Sequence, residues 1–249
     1  MRQTTKKLLI SIAQVVALIA VALLLWYVVA LATNVEMIVP KPSTVAKTTF
    51  QLLGKGQTYL ALLATLLRSV IAFALSLVVA FALSMLVILL PKCRFCVNAV
   101  VTFLRALPTI AVILATLILF EDTTVPVVVA LLVVFPVVYS MFKRELERSG
   151  NLLAMCQVYQ VSAAKKIKFV LLPIVRDELL GAVGDQLPLC IKVVVAGEVL
   201  SRPLHGLGKE MSVGKVNLDM AAIVALTILT LIVCFAISGV TSLVQRKTK

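Results

Sequence analysis

Asp185, Lys192 and Glu198 lie seven and six residues apart in a stretch, about residues 178–200, that is otherwise mostly apolar. Seven residues is close to two turns of an α-helix, so Asp185 and Lys192 share one face. Glu198 points elsewhere, near the far end. An acid and a base on one helical face can hold a small charged solute or pass a proton. Gly181, Gly184 and Pro188 stand among them. Small residues favour close helix packing, and Pro188 removes one backbone hydrogen bond and kinks the helix. Interrupted helices of this kind surround transport sites in membranes. On one reading this helix lines a translocation path. On the other, its charges snorkel or pair with Arg105 as structural glue. Both stay open at this stage.

Little else in the chain points to chemistry. His205 is the only histidine, and no Ser or Cys has a base in a recognisable pattern, so an enzymatic role is not expected. Gly54-Lys55-Gly56-Gln57-Thr58 lacks the upstream glycine and the Lys-Ser/Thr pair of a phosphate loop. Cys93-x-x-Cys96 has metal spacing, but no second pair or nearby histidine completes a site. The five cysteines, an odd number, are read as reduced thiols. The chain is expected to bind no metal or cofactor itself.

The elements that must position these residues follow from composition. Of 249 residues 61% are hydrophobic and 14% charged, against about 45–50% and about 25% in soluble domains. A soluble fold of this size could not hide so much apolar surface; a bilayer can. A charge at mid-bilayer costs about 2.5–3.5 kcal/mol on insertion scales, so it must face protein or water.

A spanning helix needs about 20 apolar residues. Six are expected in a single transmembrane domain covering 1–249: about 8–32, 59–90, 97–120, 125–142, 178–200 and 220–244. The third carries Arg105 and Pro108. The first resembles a signal peptide at Ala30-Leu31-Ala32, but its apolar run exceeds the usual 7–15 residues, so it is read as uncleaved. The segment 143–177 is too polar to span and reads as two short surface helices. With the N-terminus inside, the segments 1–7, 91–96, 143–177 and 245–249 hold fifteen Lys/Arg, and the intervening loops six. That bias places both termini in the cytoplasm of a multi-pass protein. It also accounts for the net charge of +13 without nucleic acid.

Three motifs carry a family resemblance over about residues 24–244. Pro40-Lys41-Pro42-Ser43-Thr44-Val45 follows the first helix. Phe103-Leu104-Arg105-Ala106-Leu107-Pro108-Thr109-Ile110-Ala111 contains Arg-x-x-Pro-x-x-Ala. Val195-Ala196-Gly197-Glu198-Val199-Leu200 is followed by Gly206-Leu207-Gly208. In order and spacing these resemble permease subunits of ABC-type importers in the nitrate/sulfonate/taurine group. The family's cytoplasmic Glu-Ala-Ala-x-x-x-Gly…Ile-x-Leu-Pro loop is matched at its end by Val170-Leu171-Leu172-Pro173. Counting back, Ala154, Met155 and Cys156 stand for Glu-Ala-Ala and Gln160 for the glycine.

The resemblance implies an all-α polytopic membrane protein of the type I importer permease (MetI-like) fold in a prokaryotic cell membrane. It also implies a second permease copy, separate ABC ATPase subunits that carry ATP and Mg, and an external solute-binding protein. The solute would be small and often anionic: a sulfonate, nitrate or vitamin precursor. Tyr159, Gln160, Val161, Ser162, Ala163 and Pro173 would then form the ATPase-coupling element. Arg105, Pro108, Asp185, Pro188, Lys192 and Glu198 would line or gate the path. Glycine's tolerance of positive φ suits the bend at the Gln160 position. With Gln there, a bend that avoids positive φ is favoured, with Ser162 capping a second helix over Ala163–Leu172. An ion- or proton-coupled carrier relaying through Asp185, Lys192 and Glu198, and a non-transporting scaffold, are the alternatives.

Overall fold

The computed structural model describes the backbone of residues 2–33 and 35–248. Side chains are described over 13–244 apart from 15, 34, 153, 157, 163, 175, 177, 178 and 180. The fold is all-helical, with 87% of residues in helix. In order the helices are α1 (Arg2–Thr33), α2 (Pro42–Leu53), α3 (Gly56–Leu89), α4 (Arg94–Ala106), α5 (Thr109–Leu119), α6 (Val125–Arg148), α7 (Gly150–Val158), α8 (Ala163–Lys166), α9 (Leu172–Ser201), α10 (Leu207–Val216) and α11 (Met220–Thr248).

Among the described residues four helices are long and apolar enough to cross a membrane: α1, α3, α6 and α11. The α4–α5 pair makes a fifth if its two arms count as one span. The structure thus gives four to five such helices where the sequence suggested six. At 34 residues, α3 is about 51 Å long, well beyond a hydrocarbon core of about 30 Å.

α6 is the central post. Val125, Val129, Val134, Val138, Tyr139 and Phe142 are all buried. They pack against Ala72, Phe73, Ala80 and Met85 of α3 and Ala182, Cys190 and Val194 of α9 in the larger core cluster. A smaller cluster joins Ala61 of α3, Ile191 and Val195 of α9, Leu207 of α10, and Leu226 and Cys234 of α11. Outside these clusters large apolar side chains stay exposed, among them Leu18 and Leu24 on α1, Leu63 and Leu67 on α3, Ile118 on α5 and Phe235 on α11. In a soluble protein such a surface would aggregate; against lipid tails it carries no penalty. α1 is held at its end by Trp26, whose Nε1 donates to the Pro40 carbonyl at 3.1 Å.

Three local features differ from expectation. The helix expected over 97–120 is broken: α4 and α5 meet at Leu107–Pro108 with a bend of 98°. Leu107 is extended (φ −68°, ψ 131°), the conformation forced on a residue preceding proline. The second surface helix expected over Ala163–Leu172 is not separate. α8 runs through a π-helical turn, Ile167–Leu171, directly into α9. Pro173 sits in the first turn of α9. Its missing N–H would leave a gap in a regular α-ladder, and the wider π-turn absorbs that gap. The bend near Gln160 is where it was expected, but it uses the strained conformation: Gln160 has φ 49°. The Tyr159 N–H reaches the Met155 carbonyl and the Val161 N–H reaches Cys156, both at 3.0 Å. These bonds close α7 with a left-handed residue, in the manner usual for glycine.

Segments expected on one side of the membrane meet one another. At one end of α3, Gln57 Nε2 donates to Glu210 Oε1 at 3.3 Å, joining the 33–58 and 201–219 segments. At the opposite end Arg94 pairs with Glu147 at 2.6 Å, joining 91–96 to 143–177.

Candidate functional site

The far end of α9 holds the most elaborate polar cluster among the described residues. Thr65 and Arg68 are three residues apart on α3 and therefore share a face. That face meets Glu198, whose side chain is 0% exposed. Thr65 Oγ1 lies 3.1 and 2.9 Å from the two carboxylate oxygens. Arg68 Nη1 donates to Oε1 at 2.7 Å, and the Gly208 N–H donates to Oε2 at 3.0 Å. Arg68 also donates to the His205 carbonyl at 2.7 Å, while the Leu207 N–H donates to Thr65 Oγ1 at 2.9 Å. A buried carboxylate is tolerable only when paired and hydrogen-bonded; here both oxygens are engaged.

The backbone is shaped to this carboxylate. α9 ends at Arg202 in the left-handed conformation (φ 50°, ψ 55°), with its N–H on the Glu198 carbonyl at 2.9 Å. Arg202 Nε donates to Ser212 Oγ of α10 at 2.8 Å. The turn then brings Gly206 and Gly208 against Glu198. A Cβ on Gly206 would lie 2.6 Å from the Glu198 Cδ, and one on Gly208 2.6 Å from its Cβ. A Cβ on Gly197 would lie 2.9 Å from Pro126 Cα, where α9 crosses the start of α6. The Gly-Glu…Gly-Leu-Gly pattern thus encodes an anchor joining α3, α9 and α10. Glu198 pairs with Arg68, not Arg105, and is enclosed by the anchor.

Pro188 is buried, and the absence of its N–H frees the Gly184 carbonyl one turn earlier. Ser238 of α11 fills that vacancy, its hydroxyl donating to Gly184 at 3.0 Å. Gly184 is itself a close crossing, since a Cβ there would sit 2.6 Å from Thr241 Oγ1. Asp185 and Lys192, by contrast, are exposed on α9. Among the described residues no ion pair joins them to each other or to Arg105.

Arg105 ends α4 and donates to Ser140 Oγ of α6 at 3.1 Å. Pro108 lies exposed at the α4–α5 bend. At the opposite end of the molecule, Tyr159, Gln160 and Ser162 are exposed, Val161 is half-buried and Pro173 is exposed. The side chain of Ala163 lies outside the described residues. The Ser162 carbonyl accepts the Lys166 N–H at 2.9 Å, as the residue preceding a helix does. Around this elbow Met155, Val158, Tyr159, Phe169 and Leu172 form an exposed apolar surface, Val158 and Tyr159 at 78% and 75%.

The sequence reading missed Thr65, Arg68, Gly206 and Gly208 as partners of Glu198. A usable signal existed: an arginine inside an apolar run needs a carboxylate, and few acids lie within the apolar segments. Cys93 is half-buried and Cys96 exposed. Among the described residues no group of three or more His, Cys, Asp or Glu could hold a metal. No protein-family model matches the chain, and no curated protein matches it.

Proposed function

We propose that the chain is the membrane-spanning permease subunit of an ATP-driven importer for a small, anionic solute, coupled to separate ATPase subunits. On this reading six segments span the bilayer: α1, α3, the bent α4–α5 pair, α6, α9 and α11. The observation that carries the reading is the unbroken helical run from Ala163 to Ser201. One end of that run begins at the exposed apolar elbow of Val158, Tyr159 and Phe169; its middle displays Asp185 and Lys192. Ionisable side chains open on a membrane helix face a partner or water rather than lipid. An exposed apolar elbow among basic residues suits a protein partner. A push on the elbow by an ATPase would move the helix carrying both charges, and so gate a path between two permease copies. An external solute-binding protein would supply the solute to that path.

A carrier that relays ions through Asp185, Lys192 and Glu198 fits less well. Glu198 is sealed at 0% exposure and fully engaged with Thr65, Arg68 and Gly208.

The test is a crosslink. With Cys156 replaced, a cysteine at Ser162 should join the chain to an ATPase subunit encoded beside it, and the joined complex should hydrolyse ATP in response to the delivered solute. Crosslinks that form only from residues 201–219 would overturn the reading.

A further inference from the structure

A cavity of about 370 Å³ lies at the end of the bundle where the basic segments gather. It is walled by the last turns of α3, the start of α4, the second half of α6 and α8. Its charged lining is mainly cationic: Arg94, Lys143 and Lys166 against a single carboxylate, Glu147, beside the hydroxyls of Ser84 and Tyr139. Glu147 is already shared, with Arg94 Nη2 at 2.6 Å and Lys143 Nζ at 4.0 Å. Lys143 also donates to Asn98 Oδ1 at 3.2 Å, which accepts the Tyr139 hydroxyl at 3.1 Å.

Lys166 differs from the other two cations. It is only 9% exposed, and among the described residues no ion pair or hydrogen bond engages its ammonium. Lys166 is one of the residues that line the cavity. A buried cation without a counter-charge is costly. Two positive charges remain once Glu147 is neutralised, beside an apolar wall that includes Leu146. The volume lies within the range of small-molecule sites.

We propose that this cavity binds a phosphate group, held by Lys166 together with Arg94 and Lys143. Lysine holds phosphate as a point charge, and the Arg94 guanidinium can bridge the phosphate and Glu147. The same chemistry serves a free phosphate ion and the headgroup of an anionic phospholipid, and the two are separable by experiment.

The full chain is reconstituted in nanodiscs of phosphatidylcholine alone, and its thermal midpoint is measured under three conditions. These are chloride, inorganic phosphate at matched ionic strength, and nanodiscs containing one part in five phosphatidylglycerol. A ligand at about a hundredfold over its Kd should raise the midpoint by about 5–10 °C. A rise with phosphate identifies the free ion; a rise only with phosphatidylglycerol identifies the headgroup. Lys166→Met should abolish the rise and Lys166→Arg should keep it. So should Lys92→Met, which changes an exposed cation outside the cavity at the same end. In phosphatidylcholine and chloride, Lys166→Met should melt no lower than wild type, since it removes an uncompensated charge. No rise in either arm overturns the proposal, as does an equal rise in Lys166→Met. A Lys166→Met protein melting far below wild type in chloride overturns it too, because the ammonium would then have a partner within the chain.

Discussion

Replacing Arg68 by methionine should destabilise the protein through what it leaves behind. The Glu198 carboxylate would keep the Thr65 hydroxyl and the Gly208 N–H, and lose the 2.7 Å guanidinium contact. Stranding one partner of a buried ion pair costs about 3–5 kcal/mol. Arg68 retains 15% exposure, so water screens part of the loss and the lower bound applies. About 3 kcal/mol corresponds to a fall of about 6–12 °C in melting temperature for a chain of this size. Glu198→Gln removes the charge at nearly constant shape and should cost about 2 kcal/mol, since its amide nitrogen meets donors where an acceptor stood. The diagnostic is the double variant. If the stranded charge is what hurts, Glu198→Gln in the Arg68→Met background should restore about 1–2 kcal/mol, making the pair better than Arg68→Met alone. Thermal melts of the four proteins in one detergent, read as a double-mutant cycle, measure this coupling. Additive losses, or an Arg68→Met loss below about 1 kcal/mol, would refute the argument that the anchor is a desolvated charge pair.

Gly206→Ala should cost about 1–3 kcal/mol by thermal melt, because its Cβ would meet Glu198 at 2.6 Å. Gly239→Ala, with nothing within 4 Å of its Cβ on α11, should instead gain about 0.5–1 kcal/mol. Ser238→Ala should cost about 1 kcal/mol by orphaning the Gly184 carbonyl, and should cost almost nothing in a Pro188→Ala background, where the restored N–H serves that carbonyl. Gln160→Gly should raise stability by about 1 kcal/mol, seen as a melting shift of about 2–4 °C, by relieving the positive φ at the elbow. A lower melting temperature would show that the Gln160 side chain makes a contact worth more than the strain.

What the sequence made legible was whatever depends on neighbours along the chain. Uninterrupted apolar runs marked α1, α3, α6 and α11, because length and hydropathy alone decide whether a helix suits a bilayer. Pro108 was read as lying within one helix over 97–120, because proline permits either a kink or a full turn. The 98° outcome depends on α5 packing across α6. The elbow was located correctly at Gln160, yet its geometry was not: the local strain of about 1 kcal/mol is outweighed by the bonds that close α7. Pro173 was read as the end of the coupling loop, and only the fold shows α8 running through a π-turn into α9. Least legible was the anchor. Glu198 and Arg68 are 130 residues apart, and no periodicity links them. Reading Glu198 with Asp185 and Lys192 grouped residues that share a helix but not an environment.

That separation has a consequence for how the chain is made. Synthesis proceeds at about 5–20 residues per second, so Arg68 leaves the ribosome roughly 7–26 s before Glu198 exists to meet it. If α3 enters a bilayer during that interval, its guanidinium is uncompensated and must stay near the headgroups or water. Delivery of Glu198 by α9, followed by closure of the turn carrying Gly206 and Gly208, lets that end of α3 settle to its final depth. A nascent chain truncated before residue 198 would lack the carboxylate that meets Arg68, and one truncated before residue 208 the N–H that completes the anchor.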